Sequence, residues 1–227
     1  MTLVSKDDEL LIAHAAGMLS EPMRLLVETY AAINSDVAEA MADAEVTAAA
    51  LFESAPGQAL ADDAVDIALA MVEAVEAGAG EAAGLNAAAP QNVARQTENA
   101  IGELLNLPDP VREKALEAGG QWRFAAPGVR RIELASEGSA KAELLRIEPG
   151  HGSPSHTHDG REFTLVLAGA FSDGHNRYGK GDLCAVGAET THRPIAEPGE
   201  VCFALAVTDG SLKFTGALGA VQRLFGG

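Results

Sequence analysis

The sequence predicts an α + β chain of two domains: an all-α N-terminal domain followed by an antiparallel β-barrel. Three observations support this. Up to residue 77, alanine is dense and runs of β-branched residues are absent. From Gln121 onward, short apolar runs alternate with Gly, Pro, Ser and Asp turns. The charge is lopsided: residues 1–120 carry 21 Asp and Glu against 5 Lys and Arg, whereas residues 121–227 carry 12 against 11. The expected division is 1–77 helical, 78–120 linker and short helices, and 121–227 barrel. A length of 227 residues suits one or two domains with ample core.

The first helix is expected over about Asp7–Ala16, with Leu10, Leu11 and His14 on one stripe and Gly17 as its stop. Ser20 then caps a second helix with Pro22 in its first turn. Leu25, Leu26, Thr29 and Ile33 recur there at helical spacing. Ser35 or Asp36 opens a third helix, which ends before Pro56-Gly57. A fourth runs from about Leu60 to Ala77. Residues 78–92 are rich in Gly and Ala and read as a flexible linker. Thr97–Asn106 and Val111–Ala118 are short helical pieces around Pro108 and Pro110, expected to pack onto the barrel. Strands are expected at Trp122–Phe124, Val129–Leu134, Ala142–Ile147, Phe163–Leu167, Leu183–Val186, Cys202–Val207 and Leu212–Phe214.

The chemistry is concentrated in one stretch. His156 and His158 are two apart, so on a strand both imidazoles point to one face. Glu162 has the same parity, just past a turn at Gly160. His192 follows Gly181-Asp182 and a short strand. Three imidazoles and one carboxylate suit a first-row divalent metal: Zn²⁺ first, with Fe²⁺, Mn²⁺ or Ni²⁺ as alternatives. His151, Tyr178 and Arg193 are secondary candidates for the surroundings of the metal, with exposure or ordinary packing as the plainer reading of each. His175 is expected to face solvent in a turn. Cys184 and Cys202 lie in apolar runs without Cys-x-x-Cys spacing and are expected as buried free thiols.

Gly150, His156, His158, Glu162 and Gly169 match the first motif of the cupin family without a gap. The second motif matches in part. Gly181 and His192 are in place, whereas Gly187 and Glu189 stand where the family has Pro and Gly. The resemblance implies a small barrel with the metal in its mouth. It also leaves room for a small-molecule ligand in the barrel and for a homodimer paired through the sheets.

The whole chain resembles the ChrR-type anti-sigma factors, in which a helical, zinc-containing anti-sigma domain precedes a cupin-like domain. The segments that carry the resemblance are His14–Ser20, Trp122–Arg130 and Glu162–Phe171. It implies that the helical domain grips a sigma factor of the extracytoplasmic-function type. It also implies that the cupin half is needed for release under oxidative stress. One departure is plain. Where the family has His-x-x-x-Cys-x-x-Cys, this sequence has Tyr30, Asn34 and Val37, and the upstream His falls near Ser5. These side chains cannot replace thiolates and imidazoles on zinc, so no N-terminal zinc is expected. His14 then reads as a helix-face residue.

The net charge of −17 argues against direct nucleic-acid binding; it suits a solvated acidic face that keeps the helical half soluble or, alternatively, attraction to a basic protein surface. No apolar run of membrane-spanning length is present, and the N-terminus lacks signal-peptide character, so a cytoplasmic protein is expected. The favoured reading is a transcription regulator with a metal-binding cupin sensor, with Leu25, Leu26, Leu51 and Phe52 either anchoring the partner or forming internal core. The alternative is a metal-dependent cupin enzyme, a dioxygenase or isomerase acting on a small molecule.

Overall fold

The structure, a computed structural model, describes residues 6–57, 59, 61–78, 102–209 and 212–214. Four helices come first: α1 (Lys6–Ala15), α2 (Glu21–Ile33), α3 (Ser35–Ser54) and α4 (Ala64–Gly78). Gly17 ends the first turn region at φ 67°. Ser20 is the N-cap residue of α2, but its side chain makes no capping hydrogen bond. The cap of α3 is Asn34 rather than Ser35 or Asp36. Its Oδ1 accepts from the backbone N–H of Asp36 and Val37, at 3.1 and 3.2 Å. The expected linker at 78–92 lies almost wholly outside the described residues. Of the piece expected at 97–106, residues 102–104 are helical. The next helix, α5, spans Asp109–Glu117.

Among the described residues, eleven strands follow. A six-stranded antiparallel sheet has the order β1-β2-β3-β10-β5-β8, formed by β1 (Arg123–Ala126), β2 (Val129–Glu137), β3 (Ala140–Ile147), β5 (Glu162–Ala168), β8 (Leu183–Val186) and β10 (Cys202–Asp209). A three-stranded sheet pairs β6 (Ala170–Ser172) with β7 (Arg177–Gly179) and β9 (Ile195–Ala196). A two-stranded sheet pairs β4 (His156–His158) with β11 (Leu212–Phe214). The expected barrel is therefore an open one, divided among three sheets. The strands β6, β7 and β9 have two or three residues each, too few for an alternating pattern to stand out in sequence.

At its centre, in β5 and β10, the six-stranded sheet is buried on both faces. Phe163, Leu165 and Leu167 of β5 point to one side and share a core with Leu144, Leu205 and Val207. Leu25 and Leu26 of α2, Leu10 and Leu11 of α1, and Val111 of α5 complete that core. On the other side, Val166 packs with Val129, Ile147, Phe171, Cys184 and Cys202, between the larger sheets. A strand covered on both faces reads as a continuous apolar run, as Phe163–Leu167 does. One correction follows: Leu25 and Leu26 are 3% and 1% exposed and belong to the core, so they are not partner anchors. Leu51 and Phe52 are exposed.

Candidate metal centre

The four ligand candidates are placed by three pieces of backbone. In β4 the alternation of the strand buries His156 and His158 together, while Thr157 points outward and donates to the Ala188 carbonyl. Glu162 opens β5 and faces the barrel interior with Thr164 and Val166. His192 lies on the loop before β9 and forms an isolated bridge with His156. The turn after β5 needs Gly169. Its φ is 69°, and a Cβ there would lie 2.6 Å from the Val201 carbonyl oxygen.

The four side chains converge. All are buried, and one ligand atom from each lies within 4.8 Å of the others. The Nε2 atom of His192 is 2.9 Å from that of His156 and 3.3 Å from that of His158. Glu162 Oε2 lies 2.6 Å from His158 Nε2 and 3.8 Å from His156 Nε2, and Oε1 lies 3.8 Å from His192 Nε2. A tetrahedral metal about 2.0–2.1 Å from each nitrogen would hold the nitrogens roughly 3.3 Å apart. The donor set and its spacing fit such an ion. The His156 Nδ1–H donates to the Pro154 carbonyl at 2.7 Å, which leaves its Nε2 lone pair aimed inward.

Electrostatics agree. Burial alone raises the Glu162 pKa, but the imidazoles of His156 and His158 outweigh it and hold the carboxyl well below the carboxylate range. Burial pushes the His192 pKa down and favours the neutral imidazole that a metal requires. Thr164 Oγ1 donates to Glu162 Oε1 at 3.0 Å and orients the carboxylate. Sequence reading missed Thr164. Its signal was its place two residues beyond Glu162, on the same strand face.

The secondary candidates lie elsewhere. His151 and His175 are exposed. Tyr178 stacks on Phe171, with ring centroids 5.0 Å apart. Arg161 lies over the Phe163 ring. His14 sits between Glu28 and Glu45 at 3.8 Å each, on a helix face. Of the former zinc positions, Asn34 caps α3 and Tyr30 and Val37 pack against the core. Ser5 lies outside the described residues. Cys184 and Cys202 are buried and free.

Comparison with known proteins places this geometry. Residues 117–211 match the ChrR cupin-like domain. Over 218 residues the chain is 33% identical to the anti-sigma-E factor ChrR of Cereibacter sphaeroides, covering 96% of this chain and 95% of that one. The chain belongs to the ChrR family of anti-sigma factors. A crystal structure of Rhodobacter sphaeroides SigE in complex with the anti-sigma ChrR matches with a TM-score of 0.65 and 31% identity. That match covers 89% of this chain and 96% of the other. Family membership and the shared fold support helices followed by a cupin-like domain, and a transcription regulator over a cupin enzyme. Among the described residues, no helix is long and apolar enough to cross a membrane.

Proposed function

We propose that the protein is an anti-sigma factor whose helical half holds an extracytoplasmic-function-type sigma factor in the cytoplasm. The observation that carries this reading is the family relationship over almost the whole chain, to a protein named for that activity. The surface supports it. From Val65 to Glu73, every side chain of α4 is exposed, including Val65, Ile67, Leu69, Met71 and Val72. At the end of α3, Leu51 and Phe52 are 67% and 70% exposed. Apolar helix surface of this extent calls for a covering partner. The acidic excess of the same half favours a basic partner and speeds encounter with it.

In this reading, His156, His158, Glu162 and His192 hold one divalent metal, zinc first. Imidazole-rich four-ligand sets suit zinc, while iron, manganese and nickel compete for the same donors. Bound there, the metal would tie β4, β5 and the loop before β9 together. The helical half folds without zinc, supported by the capping role of Asn34 and the packing of Tyr30 and Val37.

The test is co-expression of the tagged full-length protein with each extracytoplasmic-function-type sigma factor of the same genome. Affinity capture of one of them at a 1:1 ratio is the expected result. Capture of none, together with turnover of a small substrate by the metal-loaded protein, would favour the cupin-enzyme reading.

A further inference from the structure

An open cavity of about 390 Å³ lies along the 150–155 loop. Its walls come from the segment leading into His156 and from Arg193 and Ile195, just after His192. Ala126 and Pro127 border it. These walls are fixed. Gly152 pairs with Ile195 in an isolated bridge, and a Cβ on Gly152 would run into the Pro194 carbonyl. A Cβ on Gly128 would run into the His151 ring. The Gly150 N–H donates to the Ala196 carbonyl at 3.0 Å, and the Ala196 N–H donates to the His151 carbonyl at 2.8 Å.

The chemistry of the lining is selective. In a chain of net charge −17, no carboxylate among the described residues lines this cavity. Arg193 does line it, and among the described residues its guanidinium has no hydrogen-bond or ion-pair partner. Ser153 and Ser155 add hydroxyls, and Ala126, Pro127 and Ile195 add apolar surface. A guanidinium with spare donors matches the planar oxygens of a carboxylate or phosphate. Cavities of this size take small molecules.

We propose that this cavity binds a small organic oxyanion, a carboxylate or phosphate on an apolar body, with Arg193 holding the head group. The site is independent of sigma-factor binding. Two of its lining residues adjoin the candidate ligands: Pro154, whose carbonyl accepts from His156 Nδ1, and Arg193, the residue after His192.

The experiment is calorimetric titration of the full-length protein with benzoate and with phenyl phosphate. At least one probe should bind saturably at 1:1, with a Kd below about 1 mM. Arg193→Ala should weaken that binding about tenfold or more, and Arg193→Lys by less, because a point charge replaces the fork. Arg24→Ala on α2 should leave it unchanged. Which probe binds distinguishes a carboxylate ligand from a phosphate one. No saturable binding of either probe would overturn the proposal. So would equal affinities in the wild type and in an Arg193→Ala variant with unchanged circular dichroism.

Discussion

His156 and His192 are tied together twice through their backbones. Each N–H donates to the other's carbonyl at 3.1 Å, and the ring centroids lie 4.4 Å apart. Two imidazoles from distant parts of the chain are thus held side by side, with their rings tilted by 59°. Preorganised ligands of this kind raise metal affinity, and removing them should abolish it. The variant His156→Ala/His158→Ala is expected to lose its bound metal in elemental analysis while the far-ultraviolet helical signal persists. Full metal content in that variant would show that the ligands lie elsewhere.

Acid should release the metal before it unfolds the chain. The Glu162 pKa is held well below the carboxylate range, so this carboxylate stays ionised. The imidazoles decide the outcome, because a ligating nitrogen cannot carry a proton. Metal content after dialysis should hold at neutral pH and fall in acid, as protons compete with the ion for the imidazole nitrogens. Burial lowers the His192 pKa and delays its own protonation further. Retention of the metal until the chain itself unfolds in acid would contradict this prediction.

Core and surface leucines of the helical half should separate cleanly. Leu26 is buried against the sheet, so Leu26→Ala should cost about 2–5 kcal/mol in denaturant unfolding. Phe52 is exposed, so Phe52→Ala should change stability by less than about 0.5 kcal/mol. The reverse order of effects would mean that the packing of α2 on the sheet is misplaced. This packing also makes the full chain the right object for tests of the helices, since an isolated helical fragment would expose Leu25 and Leu26. Chelator treatment of the full-length protein should leave its helical circular dichroism unchanged. A large loss of helix would restore a structural metal to the N-terminal half.

Burial raises both thiol pKa values, that of Cys202 from 9.0 to about 12. The folded state therefore favours the protonated thiol. The associated stability is fully present below about pH 9 and is lost as pH rises toward 12. Stability should fall through that interval, and Cys202→Ala should flatten the slope. Both thiols should also resist alkylation at pH 8 and react once the chain unfolds. Rapid labelling of the native protein at pH 8 would contradict the burial.

The metal cluster was legible because strand parity and ligand chemistry act locally. His156 and His158 share one face of β4 by parity alone, whereas Glu162 opens a strand of another sheet and is brought to them by the bend between. The contribution of His192 depends on a backbone bridge across the fold, which only the motif spacing hinted at. Leu25 and Leu26 were ambiguous for a physical reason. Helical spacing shows that a face is apolar, but it does not show whether the sheet or a partner covers it. Thr164 and the short strands β6, β7 and β9 carry too little pattern to be read without tertiary context. The Asn34 cap needed backbone geometry, since Asn34, Ser35 and Asp36 are all good caps.

In the proposed function, the exposed face of α3 and α4 holds a sigma factor. Association kinetics of the purified protein with the captured sigma factor probe that contact. Saturable 1:1 binding is expected, with an on-rate that falls as salt rises. Phe52→Ala/Leu69→Ala should weaken binding by at least about 2 kcal/mol, roughly thirtyfold, without changing the melting temperature. Unchanged binding by this variant, or no binding to any sigma factor of the genome, would contradict it.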